Sequence, residues 1–90
     1  MDFDWDDVKA EANLSKHGIS FLEAATVFED DLSITFFDAD HSMSEERLII
    51  VGHSQRGRLL FVSHTDKDDK VRIISARGAT RRERKVYENA

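Results

Sequence analysis

The side chains best suited to chemistry in this chain are the arginines and one histidine of its second half. Three runs rich in Ile, Val, Leu and Phe read as strands over 47–53, 59–65 and 71–77. With the 66–70 turn centred on Asp68, His64 falls opposite Arg72. With the 54–58 turn centred between Arg56 and Gly57, His64 also falls opposite Ile49. Strand alternation then gathers Arg47, Ile49, Val51 and His53 with His64, Arg72 and Ile74 on one face. Arg47, His64 and Arg72 cluster at one end of it, directly opposed residues having Cβ atoms about 5 Å apart. Two neighbouring guanidinium groups disfavour imidazolium, and a neutral imidazole is a general base near neutral pH. The arginines could grip a phosphate and stabilise charge that develops on it. Together these are the parts for RNA cleavage by the ribose 2′-hydroxyl. The competing reading is an edge histidine bonded to backbone, with arginines paired to acids such as Asp66.

Arg77 extends the set but poses a geometric problem. Regular alternation places Arg72 and Arg77 on opposite faces, about 17 Å apart along a strand, so either a bulge or bend interrupts the strand near Ser75 and lets them share a phosphate, or the two contact successive parts of an RNA strand. Glu46, beside Arg47, and Tyr87 are candidate proton donors. His41 and Ser42, in a polar loop over 38–45, could fix that loop or transfer a proton. His17 reads as a dipole partner at a helix C-terminus. The absence of Cys, and of a His pair at helical spacing, argues against a metal site. No phosphate-binding glycine loop and no Gly-x-Ser-x-Gly motif is present.

The elements that must position these groups follow from pattern. Trp5, Val8 and Ala12 mark a helix begun by acids and stopped at Gly18. Ser20-Phe-Leu-Glu23 is a capping box opening a short second helix. A strand over 33–38 precedes the three above. Thr80-Arg-Arg-Glu83 is another capping box, opening a last helix over 79–88. The expected fold is a single α+β domain over 1–90 with two N-terminal helices, a four-stranded mainly antiparallel sheet and a C-terminal helix. Phe21, Phe28, Leu48, Ile50, Phe61, Val62 and Ile73 are its expected core.

The net charge of −5 hides an asymmetry: residues 1–45 carry 12 Asp or Glu and 2 Lys, whereas residues 46–90 carry 6 acids and 11 Lys or Arg. Such a split suggests a basic face on an acidic body, able to meet phosphate whatever the total charge. Arg81, Arg84 and Lys85 share one stripe of the last helix, where like charges slightly destabilise an isolated helix. The stripe reads either as a solvated face or as a surface for phosphate or an acidic partner. No apolar run is long enough to span a membrane, and the N-terminus carries no signal-peptide pattern, which leaves the cytoplasm as the expected location.

Phe3-Asp-Trp-Asp6, Asn13-Leu-Ser-Lys-His-Gly18 with Ser20-Phe21, Asp40-His41-Ser42 with Glu46-Arg47, and Arg72-Ile-Ile-Ser-Ala-Arg77 with Ala79-Thr-Arg-Arg-Glu83 and Tyr87 together resemble the BrnT family of bacterial toxins. The resemblance spans nearly the whole chain, in order. It implies a RelE-like fold and the toxin half of a type II toxin–antitoxin pair, a metal-independent endoribonuclease without cofactor that arrests translation. It also implies neutralisation by a BrnA-type ribbon-helix-helix antitoxin, with operator DNA reached only through that partner. Carried over by position, the motif arginines are Arg47, Arg72, Arg77 and Arg81, with Glu46 and Glu83 beside them; joined to the residue reading above, the expected catalytic set is Arg72, Arg77, His64, Arg47, Glu46 and Tyr87, with Arg81, Arg82, Arg84, Lys85 and Lys67 on RNA. Two positions depart from the family pattern: Lys67 stands where Arg is frequent, without its bidentate fork, and Gly78 stands where a basic residue commonly follows Ser-Ala-Arg. The alternative is a catalytically inactive module of the same fold that keeps antitoxin binding and co-repression.

Overall fold

The computed structural model describes residues 1–42 and 45–90; Met43 and Ser44, inside the polar loop expected over 38–45, lie outside them. The chain runs β1 (Asp2–Asp4), α1 (Asp7–His17), α2 (Phe21–Thr26), a 3₁₀ turn (Val27–Glu29), β2 (Ile34–Phe37), a second 3₁₀ turn (Ala39–His41), β3 (Leu48–His53), β4 (Leu59–Lys67), β5 (Lys70–Gly78) and α3 (Arg81–Glu88). The α+β class holds, but among the described residues the sheet has five strands, in the order β1-β5-β4-β3-β2. The expected RelE-like domain of four strands opened by two helices is corrected accordingly: a strand comes first and lies parallel to β5. Three residues are too few to show a period of two, so Asp2–Asp4 carries no strand signal of its own.

Local chemistry sets the helix limits. The Asp6 carboxylate accepts from the Val8 and Lys9 amides, and Gly18 closes α1 at φ 69°. The Ser20 hydroxyl caps α2 through the Glu23 amide. Both helices cover one face of the sheet, where Ile19, Phe21, Ala24, Val27, Ile50, Leu60, Val62, Val71, Ile73 and Ala76 form the main core. Gly52 admits the first 3₁₀ turn: a Cβ there would stand 3.0 Å from both Val27 and Ser33. Phe21, Ile50, Val62 and Ile73 are buried as expected, whereas Phe28, Leu48 and Phe61 are only partly so. Phe61 lies on the opposite face with Ile49, Val51 and Leu59, a smaller cluster that Ala79 and Tyr87 cover.

Two polar contacts tie these layers together. Buried Asn13 donates to the Ile19 carbonyl at 3.0 Å and to the Ala76 carbonyl at 2.8 Å, and accepts from the Ala76 amide at 3.0 Å. Strand β1 pairs with β5 only over residues 70–72, so beyond it the Asn13 side chain takes the place of a neighbouring strand. Buried Glu23 receives Arg58 through two guanidinium nitrogens and also accepts from the Ser54 hydroxyl, joining α2 to the β3–β4 loop. The Arg58 hydrogen bond holds the Glu23 carboxyl below the ordinary Glu range, against burial, which acts the other way.

Asn13→Ala leaves buried backbone groups without partners; at roughly 1–3 kcal/mol for an unmade buried bond, it should cost on the order of 3 kcal/mol, and an unchanged urea midpoint would reject this anchor. Glu23 has a folded pKa below its unfolded value, so its stabilisation is present above about pH 4.3 and is lost as pH falls through the folded value. Melting temperature measured from about pH 6 down to pH 3 should fall more steeply in the wild type than in Glu23→Gln; parallel curves would count against this assignment.

Candidate active site

The face of the sheet opposite α1 and α2 carries the charged groups. Pairing across the strands arranges it in rows. One row holds Ile34, Val51, Phe61 and Arg77, and the next holds Phe36, Ile49, Ser63 and Ser75. Continuing the register by one pair gives a third row of Asp38, Arg47, Thr65 and Arg72, and Asp4 of β1 pairs beside Arg72.

This arrangement corrects the expected register. The β4–β5 turn has Lys67 opposite Lys70, with Asp68 and Asp69 between them at φ 53° and 63°. That is the two-residue turn that requires positive φ at both central positions, and it shifts the pairing by one residue. The β3–β4 loop shifts likewise, with His53 opposite Leu59. His64 therefore faces Leu48 and Ile73, not Ile49 and Arg72, and a one-residue slip reverses the face of every side chain. It lies 1% exposed under the helices, its ring 4.9 Å from that of Phe28. Burial pushes its pKa down, partly offset by Asp66. The expected cluster of His64 with Arg47 and Arg72 does not form; Arg47 and Arg72 do share a face.

A second irregularity brings Arg77 to them. The ladder shifts between Ser63 and His64: Ser63 pairs with Ser75, His64 with Ile73, and Ile74 is the extra residue. This bulge restores the phase, so Arg72 and Arg77 lie on the same face, opposite Thr65 and Phe61. Those partners are four residues apart, about 13 Å along the strand. Arg72 is half exposed and bonds Asp4 at 3.2 Å. Its surroundings form an open cavity of about 500 Å³ that Lys67, Lys70, Thr65, Asp68 and Glu45 also line. Arg77 stacks 4.1 Å above the Phe61 ring and makes a bidentate pair with Glu83 at 2.8 and 2.9 Å. That hydrogen bond raises the Arg77 pKa and lowers that of Glu83.

Glu83 also accepts from the Thr80 amide while Thr80 caps the Glu83 amide, completing the capping box of α3. Tyr87 fastens the other end of α3. Its hydroxyl donates to Asp30 at 2.7 Å and lies 3.1 Å from His53 Nδ1. The hydrogen bond to Asp30 pushes the phenol up to about 12, so its proton is held rather than offered. Burial raises the Asp30 pKa, but bonds from the His53 amide and Tyr87 outweigh it and leave Asp30 lowered. Arg81, Arg82, Arg84 and Lys85 stand exposed on α3, and among the described residues none makes an ion pair. Lys67 and Glu46 are exposed as well. Gly78 ends β5, where a Cβ would meet open space, so nothing in the backbone requires glycine there.

The site residue that strand pattern did not single out is His41. Its Nδ1 lies 3.1 Å from the Asp38 carboxylate, with the imidazole mostly exposed, and Ser42 fixes the loop by accepting the Arg47 amide at 2.9 Å and donating to the Asp38 carbonyl. Asp38, itself in the row with Arg47, thus orients the ring through Nδ1 and leaves Nε2 free of that bond. The signal was the short spacing of Asp38, His41 and Ser42 ahead of Arg47. No helix among the described residues is long and apolar enough to cross a membrane.

Comparison with known proteins accords with this geometry. The crystal structure of the Brucella abortus ribonuclease toxin, BrnT, has a similar fold, with a TM-score of 0.68 at 24% sequence identity over 90% of this chain and 99% of that one. No curated protein matches the sequence. The family model described as "Ribonuclease toxin, BrnT, of type II toxin-antitoxin system" matches residues 5–83, most of the chain, and the chain belongs to that family of ribonuclease toxins.

Proposed function

We propose that this chain is a metal-independent endoribonuclease that cleaves RNA by attack of a ribose 2′-hydroxyl on the adjacent phosphate, with arrest of translation as the result. The observation that carries this reading is the bulge at Ile74, which aligns Arg72 and Arg77 with Arg47 on one sheet face. Arg72 and Arg47 grip the scissile phosphate and stabilise its added charge, work that a guanidinium does without a metal. Arg77, held rigid over Phe61, contacts a neighbouring part of the strand by exchanging bonds with Glu83. The 2′-oxygen to phosphorus bond forms as the 5′-oxygen leaves. His41 Nε2 takes the 2′-hydroxyl proton, and Glu46 returns one to the leaving oxygen. His64, buried on the other face, and Tyr87, bound to Asp30, are left structural roles. Lys67 and the cations Arg81, Arg82, Arg84 and Lys85 extend the phosphate-binding surface.

The partner in this reading is a BrnA-type ribbon-helix-helix antitoxin, the only route to operator DNA. An acidic or apolar segment of it lies over the stripe of α3 and blocks RNA. In the alternative, a non-cleaving co-repressor, Arg77 stays neutralised by Glu83 and the face only binds.

Cleavage of purified cellular RNA in EDTA should persist, and its loss there would reject the metal-free mechanism. Arg72→Ala should lower turnover by about 10²–10³ with little change in melting temperature, because its pair with Asp4 is exposed. His41→Ala should lower it by about 10²–10⁴, whereas full activity would remove His41 as base. Absence of cleavage by a folded wild type that still binds antitoxin would favour the co-repressor. Reversal of Arg81, Arg84 and Lys85 to Glu should slow antitoxin association at low salt; an unchanged rate would assign the stripe to another purpose.

A further inference from the structure

Strand β2 is an edge of the sheet. Asp38 donates its amide to the Arg47 carbonyl at 2.8 Å, and bonded pairs alternate along an antiparallel ladder. The pairs Phe36 with Ile49 and Ile34 with Val51 are therefore the bonded ones, and Thr35 and Phe37 turn their N–H and C=O groups to the free edge. Among the described residues no other backbone bond reaches them. The usual protections of an edge are missing: Ile34–Phe37 contains no Pro, no charge and no bulge. Phe36 is 41% and Phe37 51% exposed, and Leu32 just before them 73%. Phe36 projects on the arginine face near Phe61, at 6.4 Å between ring centroids, and Phe37 on the helix face. An added strand would cover one ring on each side.

Charge decides what can dock there. Exposed Asp31 precedes the strand and exposed Asp40 follows it, whereas the mostly buried Asp30 and Asp38 beside them are engaged by Tyr87 and His41. A second copy of this chain on the same edge would bring acids against acids at both ends, in either parallel or antiparallel register, and like charges directly opposed are destabilising. A segment with an apolar centre and basic ends meets the same edge with attraction throughout.

We propose that β2 is the docking edge for an extended segment of the cognate antitoxin, apolar at two successive positions and flanked by Lys or Arg, which adds a sixth strand to the sheet. This rests on the reading that an antitoxin binds this chain. Main-chain bonds to Thr35 and Phe37 supply affinity, and the alternating contacts with Phe36 and Phe37 supply specificity. Because β2 runs on into Asp38, the docked segment borders His41 and Arg47 and can obstruct the site from the side.

The test is amide-resolved hydrogen exchange on the full chain alone and in complex with its antitoxin. Thr35 and Phe37 should exchange rapidly in the free chain and slow by at least about tenfold in the complex, whereas Ile34 and Phe36, already bonded to β3, change little. Thr35→Pro removes an edge-facing donor at a position where Pro is tolerated and should raise the antitoxin Kd about tenfold, the loss of one bond with its partner left unmatched. Asp31→Lys with Asp40→Lys should weaken association most at low salt. A complex in which Thr35 and Phe37 exchange as in the free chain overturns the docking edge and leaves the antitoxin reading intact; failure to form any complex overturns both. Should Thr35→Pro not fold, the exchange result on the native chain decides. A dimer of the chain alone that protects Thr35 and Phe37 would make a second copy the occupant and overturn the proposal.

Discussion

The carboxamide of Asn13 is the contact on which the rest of the architecture depends. It is buried, it uses both its donor and its acceptor capacity on backbone, and it binds the N–H and C=O of one strand residue, Ala76. A strand that has lost its neighbour normally exposes these groups to water or leaves them unpaired at a cost. Here the helix supplies the missing neighbour from its side. Ala76 sits two residues past the bulge at Ile74 and one before Arg77, so the same bonds fasten the strand between the irregularity and the guanidinium it re-aims. The packing of α1 thereby reaches the charged face through the backbone of β5.

The two faces of the sheet divide the labour by dielectric. Under α1 and α2 the apolar layer admits one ionisable ring, His64, which burial keeps neutral. Across the sheet, Arg72 stands half exposed, Arg77 is partly buried and paired with Glu83, and the Arg47 Nε is buried with no hydrogen-bond partner among the described residues. Arg77 is the most constrained of these: Phe61 supports it from below and Glu83 from the side. Arg72 has one exposed acid and an open cavity around it. A polyanion therefore meets one arginine that is rigid and already paired, and another that is accessible.

Much of the frame was legible in the chain. Asp6, Ser20, Thr80 and Gly18 act within one turn of themselves, so the starts of the three described helices and the end of α1 follow from local chemistry. The strands β2 to β5 were visible from their apolar content. Register was not, because it turns on details a pattern does not carry. Asp68 and Asp69 both adopt positive φ, a conformation more often signalled by Asn or Gly, and this, with the shifted β3–β4 loop, moved His64 to the other face. The bulge at Ile74 sits inside an uninterrupted run of strand formers and has no compositional mark; only the need to reconcile Arg72 with Arg77 pointed to it. Strand β1 was missed because it depends on a partner 68 residues along the chain rather than on its own three residues. His41 stood in the sequence beside the right neighbours, but its orientation by Asp38 is a matter of loop geometry.

Glu83 holds two posts at once. The carboxylate that neutralises Arg77 is the same one that closes the N-terminus of α3, so the sheet face and the last helix share a single group. A phosphate that draws Arg77 away removes one of the two partners that hold the carboxylate at the cap, and a partner that unwinds the start of α3 carries Glu83 off and releases Arg77 from its counter-charge. By thermodynamic reciprocity the two effects have the same size, set by a helix cap at about 1 kcal/mol. Occupancy of the arginine face and winding of the C-terminal helix are thus two readouts of one equilibrium, and the helix is a built-in reporter of what the face holds.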